Sequence, residues 1–292
     1  MYIRSVITLG AINVVMVLGL TVLTGYTGLF SMGNMGFMMI GAYVSAIVYR
    51  FKGVPFYPSL LCGGLAAMLA GLFIGFPAVR GKLKGDHFAI AMLGFASAVK
   101  VIISNARNKV VNGALGIKNI PKLTNMWVAL AIVAILIYLL TGYIRSAYGR
   151  NCRAVREEEV AAEIMGVRVS RTKLISVLIC AFCTGVGGGL FAFYMTLIAP
   201  TMFTQNQSDN QLIAVVFGGI NSITGPVISA FTLAILPEAL RIIGEWRLVI
   251  YGILVVVIML VKPEGLFGYI EITDIARTIT RRIKTLIGTK SG

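Results

Sequence analysis

The chain has 292 residues, 58% of them hydrophobic and only 13% charged, with a mean hydropathy of +0.88. That composition excludes an ordinary soluble domain and a disordered chain, and leaves a membrane-embedded protein. The net charge of +15 would point to nucleic acid in a soluble chain. Here it reads as flanking charge that fixes orientation in the lipid bilayer, and no nucleic-acid partner is expected.

An apolar helix needs roughly 20 residues to cross the hydrocarbon core. Segments near 5–24, 35–49, 57–79, 87–106, 125–144, 174–199, 210–236 and 248–261 reach or approach that length. The fold class expected is an all-α membrane protein with about eight or nine transmembrane helices or half-helices. One transmembrane domain covers residues 1–270, and a tail covers 271–292. The first segment has no small-residue cleavage site and is expected to stay as a helix. The 33 glycines suit helices that approach closely in lipid, most plainly at Gly185-Val-Gly-Gly-Gly189.

The first segment runs into Thr24-Gly-Tyr-Thr-Gly-Leu-Phe-Ser-Met-Gly-Asn34. Without that interruption about 45 apolar residues would run on, roughly twice what a bilayer accommodates, so the chain must turn. Irregular backbone in the membrane is tolerated only against protein or a water-lined cavity. Gly25, Gly28, Ser31, Gly33 and Asn34 are therefore candidates for lining a translocation path; a tight turn between two helices is the plainer use. The basic turn over 79–86 contains Gly75-Phe-Pro-Ala-Val-Arg-Gly-Lys82, which imitates a phosphate loop. Its glycines are separated by five residues rather than four, and Leu83 stands where Ser or Thr should hold magnesium. No nucleotide or other cofactor is expected. His87 opens the next segment without an acid partner deeper in the membrane, and a polar, basic connection follows at 107–124.

The longest polar interruption is 145–173, with seven of the 26 basic and four of the 11 acidic residues. It must lie in water. Ala154, Ala161 and Met165 fall on one helical stripe flanked by Ala162, Glu157, Glu158 and Glu159 precede the alanines, and Gly166 marks a stop. The pattern is that of a short, partly apolar helix gripped by a soluble partner, or of a solvated linker.

Cys180-Ala-Phe-Cys183 has CxxC spacing within an apolar segment and no second pair. Packing is the reading preferred there, and neither a metal site nor a catalytic residue is expected. The polar, almost uncharged stretch at 201–211 precedes a second glycine-rich interruption, Phe217-Gly-Gly-Ile-Asn-Ser-Ile-Thr-Gly-Pro226. It splits 210–236 into two half-spans and adds Gly218, Gly219, Asn221 and Gly225 to the path candidates. Paired breaks in two halves point, in transporters, to a path near the membrane middle. In the tail, Ile272, Ile275, Ile279, Ile283, Leu286 and Ile287 lie opposite Arg277, Arg281 and Lys284. That amphipathic helix suits an anionic leaflet or a partner.

With 145–173 cytoplasmic, alternation places the 79–86 turn inside, the 107–124 loop outside and the N-terminus outside. This puts 16 of the 26 basic residues inside, the bias expected of membrane proteins. Apart from Lys100 near one end, the spans carry few charges, which argues against ion-coupled transport.

At Gly149-Arg-Asn-Cys-Arg-Ala-Val-Arg-Glu-Glu-Glu-Val-Ala-Ala-Glu-Ile-Met-Gly166 the sequence resembles the permeases of branched-chain amino acid ABC importers. Gly25-Tyr-Thr-Gly28, Gly41-Ala-Tyr43, Asp86-His-Phe-Ala89, Ile198-Ala-Pro200, Gly218-Gly219, Leu236-Pro-Glu-Ala-Leu-Arg241 and Lys262-Pro-Glu-Gly-Leu266 fit the same family in order, covering most of residues 15–268. Importer permeases carry a cytoplasmic motif of Glu-Ala-Ala, three residues, Gly. Ala161, Ala162 and Gly166 match it, whereas Val160 stands at the glutamate position and Glu163 follows the alanines, departures that agree with the branched-chain subfamily. The family often has a further N-terminal helix not seen here, which fits a start on the outer face or a chain shortened at its N-terminus.

The resemblance implies an ABC importer permease fold in the bacterial inner membrane and no ATPase site in this chain. The partners implied are a homologous second permease, two cytoplasmic ATP-binding subunits and an extracytoplasmic solute-binding protein. Arg153, Arg156, Glu157, Glu158, Glu159, Ala161, Ala162, Glu163 and Gly166 would couple to the ATPase, and leucine, isoleucine or valine would be the solute. Related permeases for urea, amides, nucleosides or sugars share much of the pattern. A secondary transporter is the reading from another class.

Overall fold

The computed structural model describes residues 2–81, 83, 85–106, 110–239 and 252. Apart from Gly252, the segment near 248–261 and the tail at 271–292 lie outside the described residues. Ten α-helices are described: α1 (Tyr2–Leu20), α2 (Asn34–Lys52), α3 (Phe56–Arg80), α4 (Gly85–Asn105), α5 (Met126–Arg145), α6 (Ala147–Glu157), α7 (Glu159–Ile164), α8 (Val169–Met195), α9 (Gln205–Gly218) and α10 (Thr224–Ala239). The described residues contain no β-strand; Ile117 and Ile198 form an isolated antiparallel bridge between two loops.

Five spans are long and apolar enough to cross a membrane: Arg4–Tyr26, Phe56–Arg80, Gly85–Asn105, Met126–Arg145 and Val169–Met195. The first and last of these are largely buried and form the centre. The other three turn side chains such as Leu69, Phe73, Ile102 and Tyr138 outward, as lipid- or protein-facing helices do. Glycine lets the centre close. A Cβ on Gly188 of α8 would stand 2.0 Å from the Met38 carbonyl oxygen of α2. One on Gly41 of α2 would stand 2.1 Å from the Gly185 carbonyl oxygen. Backbone, not side chain, is the surface at these crossings, the small-residue packing that membrane helices use.

Two expected interruptions are present. The first helix passes into a π-helical turn, Thr21–Tyr26. Thr21 Oγ1 donates to the Val17 carbonyl at 2.8 Å, a side-chain bond back along the helix that loosens the ladder where it widens. Gly28 then takes φ +75, and the chain runs irregularly to Asn34. The second interruption, between α9 and α10, folds α10 back on α9: Gly218 packs against Gly225 and Pro226, and Ser229 Oγ donates to the Ala214 carbonyl. Helix α9 has 14 residues and is about 21 Å long, a half-span.

The buried amides Asn34 and Gln211 fix the depth of the irregular segment. Asn34 Nδ2 donates to Gln211 Oε1 at 3.1 Å, and Gln211 Nε2 lies 3.4 Å from Met16 Sδ. Met16 is about 15 Å above Tyr26 along the first span. Residues 27–33 therefore climb back into the bundle, and α2 starts part-way through the membrane rather than at its surface.

Candidate functional site

The polar insert 145–173 forms two helices at one end of the bundle, not the single helix expected. Glu158 is extended (φ −157, ψ 115), and its carboxylate accepts from the Val160 amide at 3.4 Å, which restarts the helix as α7. The break changes the helical phase, so the expected stripe does not form. Ala154, Ala161 and Met165 are exposed, and the buried residues of the two helices are Gly149, Cys152, Val155 and Ala162.

Gly166 closes α7 at φ +83, its amide donating to the Glu163 carbonyl and that of Val167 to the Ala162 carbonyl, both at 3.0 Å. Helix α7 is tied to the bundle by Lys173 of α8, whose Nζ lies 2.6 Å from Glu159 Oε1. Three large apolar side chains on α7 and just beyond it point away from the protein: Val160 at 57% exposure, Ile164 at 80% and Met165 at 83%. Exposed Glu157, Glu158 and Glu163 flank them. A groove of about 430 Å³ runs beneath, lined by Val79, Glu159, Val160, Glu163, Gly166 and Lys173.

Both glycine-rich interruptions meet the insert. A Cβ on Gly25 would stand 2.9 Å from the Ile220 carbonyl oxygen, and the Tyr26 hydroxyl donates to the Asn221 carbonyl at 3.1 Å. The two breaks are thus in contact. Arg156, in the last turn of α6, reaches into the junction: its Nη1 donates to the Gly25 carbonyl at 2.8 Å and to Asn221 Oδ1. The Arg153 guanidinium stands 5.4 Å from the centre of the Tyr26 ring. Sequence reasoning placed Arg153 and Arg156 on the ATPase-coupling side. Arg156 instead points inward, and no sequence periodicity signals a bond across 131 residues.

Of the path candidates, Gly25, Ser31, Gly33, Asn34, Gly218, Gly219 and Gly225 are buried against neighbours within this chain, and Gly28 and Asn221 are half-exposed. In the irregular climb the residues alternate: Leu29, Ser31 and Gly33 face the bundle, whereas Phe30 and Met32 face outward. Sequence reasoning missed Phe30 and Met32. Gly25 and Asn221 meet beside α6, at the end that carries the insert. The CxxC pair is buried, and Cys180 Sγ donates to Asn34 Oδ1 at 3.4 Å.

Relative sidedness follows from contacts. Gly85 lines the same cavity as Arg156 and Glu157–Glu159, so the start of α4 lies at the insert's end. At the other end, Tyr194 donates to the Ser5 carbonyl at 3.4 Å, Lys122 stacks on the Tyr194 ring, and Arg50 donates to the Lys118 carbonyl. The N-terminal residues and the 110–124 loop therefore lie opposite the insert, in the expected alternation.

Residues 2–259 match the family model described as "Branched-chain amino acid transport system / permease component". The chain is 32% identical to the high-affinity branched-chain amino acid transport system permease protein LivM of Escherichia coli (strain K12), over 90% of this chain and 69% of that protein. It is 27% identical to LivH of the same strain, over 92% and 95%, and 27% identical to the guanosine ABC transporter permease protein NupQ of Bacillus subtilis (strain 168), over 66% and 67%. No solved structure matches it. The chain, an all-α, multi-pass inner-membrane protein, belongs to the branched-chain amino acid transport system permease family.

Proposed function

We propose that the chain is one of two homologous membrane subunits of an ATP-driven importer for branched-chain amino acids. Its α6–α7 end takes two ATP-binding subunits, and its opposite end takes a solute-binding protein. One observation carries the docking surface: Val160, Ile164 and Met165 stand in water on a short helix braced by Lys173. A single exposed apolar side chain needs no explanation, but three together on a polar loop mark a surface made for a partner. Arg153, Glu157, Glu158, Ala161, Glu163 and Gly166 frame that surface, and Glu159 holds it in place.

The solute path runs along the face where this chain meets its homologue. Irregular backbone cannot face lipid, so the outward side of residues 28–33 belongs to that face. Phe30 and Met32 offer an aliphatic side chain an apolar wall there, beside Gly28 and Asn221. Gly25, Ser31, Gly33, Asn34, Gly218, Gly219 and Gly225 hold the wall's backbone in place. Hydrolysis takes place in the partner subunits.

The assembled importer in proteoliposomes tests this. Ile164→Asp with Met165→Asp is expected to leave the permease pair in the membrane while cutting recovery of the ATP-binding subunits, and ATP-driven uptake of labelled leucine, about tenfold or more. Full recovery and uptake would sink the docking surface. Guanosine, the solute after which one relative is named, is the competitor to include: uptake of it in preference to leucine would move the substrate class to nucleosides.

A further inference from the structure

The Arg156 side chain bonds both helix breaks to the α6–α7 insert. Its two acceptors sit at the C-terminal ends of two helices. Gly25 is in the last turn of the first span, where carbonyls have no partner further along the helix. Asn221 follows the end of α9 at Gly218. Each helix presents the negative end of its dipole there, and a guanidinium is the group best suited to both. The fit extends to the backbone: Gly28 takes φ +75, and a Cβ on it would lie 3.0 Å from Arg156 Cγ. A Cβ there would crowd the arginine stem, and the positive φ itself favours glycine. The Arg153 guanidinium over Tyr26, whose hydroxyl donates to Asn221, adds a second hold on the junction.

We propose that Arg156 is a positioning residue: the pin through which displacement of the α6–α7 insert reaches both breaks at once. The inference rests on the docking role proposed above. When the ATP-binding subunits move α7, the rigid α6 carries Arg156, and the Gly25 carbonyl and Asn221 move with it. From Gly25 the motion passes into the segment bearing Phe30 and Met32, and from Asn221 into the α9–α10 hairpin. Two breaks distant in sequence thereby shift together rather than independently.

The test uses the complete importer in proteoliposomes and reads labelled leucine imported per ATP hydrolysed, a ratio that loss of folded complex alone does not change. Arg156→Ala is expected to lower the ratio about tenfold. Asn221→Ala is expected to lower it less, and the double variant no further than Arg156→Ala alone. Arg156→Lys, which keeps the charge on a shorter side chain without the planar guanidinium, falls between; it carries the test if the alanine variant does not assemble. A wild-type ratio in Arg156→Lys and Asn221→Ala, or single effects that multiply in the double variant, would overturn the pin. Cross-linking from Glu163→Cys to the ATP-binding subunits separates the two ideas. Cross-links with an unmoved ratio overturn the pin and leave docking standing, whereas no cross-link overturns the docking on which the pin depends.

Discussion

Lys173 and Glu159 make an unequal pair. The lysine side chain is 5% exposed and the glutamate 29%, so removing either partner has a different consequence. Without the lysine, the glutamate turns to water. Without the glutamate, an ammonium group stays buried with its main counter-charge gone, a situation that costs about 3–5 kcal/mol in the interior of proteins. Glu159→Ala is therefore expected to destabilise the detergent-solubilised protein more than Lys173→Met, read from melting temperatures side by side. Equal shifts would mean that the pair is effectively solvated. The ion pair itself was not legible in the sequence: the partners are 14 residues apart, and the turn at Gly166 that brings them together had only its glycine to announce it.

At the scale of elements, helix boundaries were the most legible feature. The expected spans 57–79, 87–106 and 125–144 became Phe56–Arg80, Gly85–Asn105 and Met126–Arg145, because a run of apolar residues ended by charge has few other ways to satisfy its backbone in lipid. Both interruptions were legible for the same reason. The phase of the insert was not. One extended residue, Glu158, resets the periodicity on which the stripe argument depended. The glycine run in α8 was readable as close packing, though not its partners. Gly188→Leu, which sets a side chain against the α2 backbone at Met38, is expected to destabilise the fold by about 3 kcal/mol, measured as a lower unfolding temperature in detergent. Gly142→Leu, on a helix surface where a Cβ meets nothing within 4 Å, is the matched control and should leave that temperature in place.

For the whole molecule, the arrangement separates two ends. Glu163 and the insert lie at one end, together with Val79 and Gly85; Leu115, Lys118 and the N-terminal residues lie at the other. With a membrane-impermeant maleimide on intact cells, Leu115→Cys (68% exposed) is expected to label and Glu163→Cys to label only after permeabilisation. The reverse pattern would put the insert outside the cell, away from any ATP-binding subunit.

Composition and the order of apolar and polar segments were enough, without coordinates, to set the class, most of the helices among the described residues, the two breaks and the relative alternation of ends. These are local consequences of placing a peptide backbone in hydrocarbon, where every stretch must be helical, shielded or outside. The resemblance to importer permeases likewise lay in short contiguous motifs. What only the tertiary structure decided is which distant pieces touch: Gly25 against Ile220, Asn34 against Gln211, and Arg156 across both breaks. Such contacts depend on helix crossing geometry and on the absence of single Cβ atoms, and no periodicity within one segment records where another segment will pass.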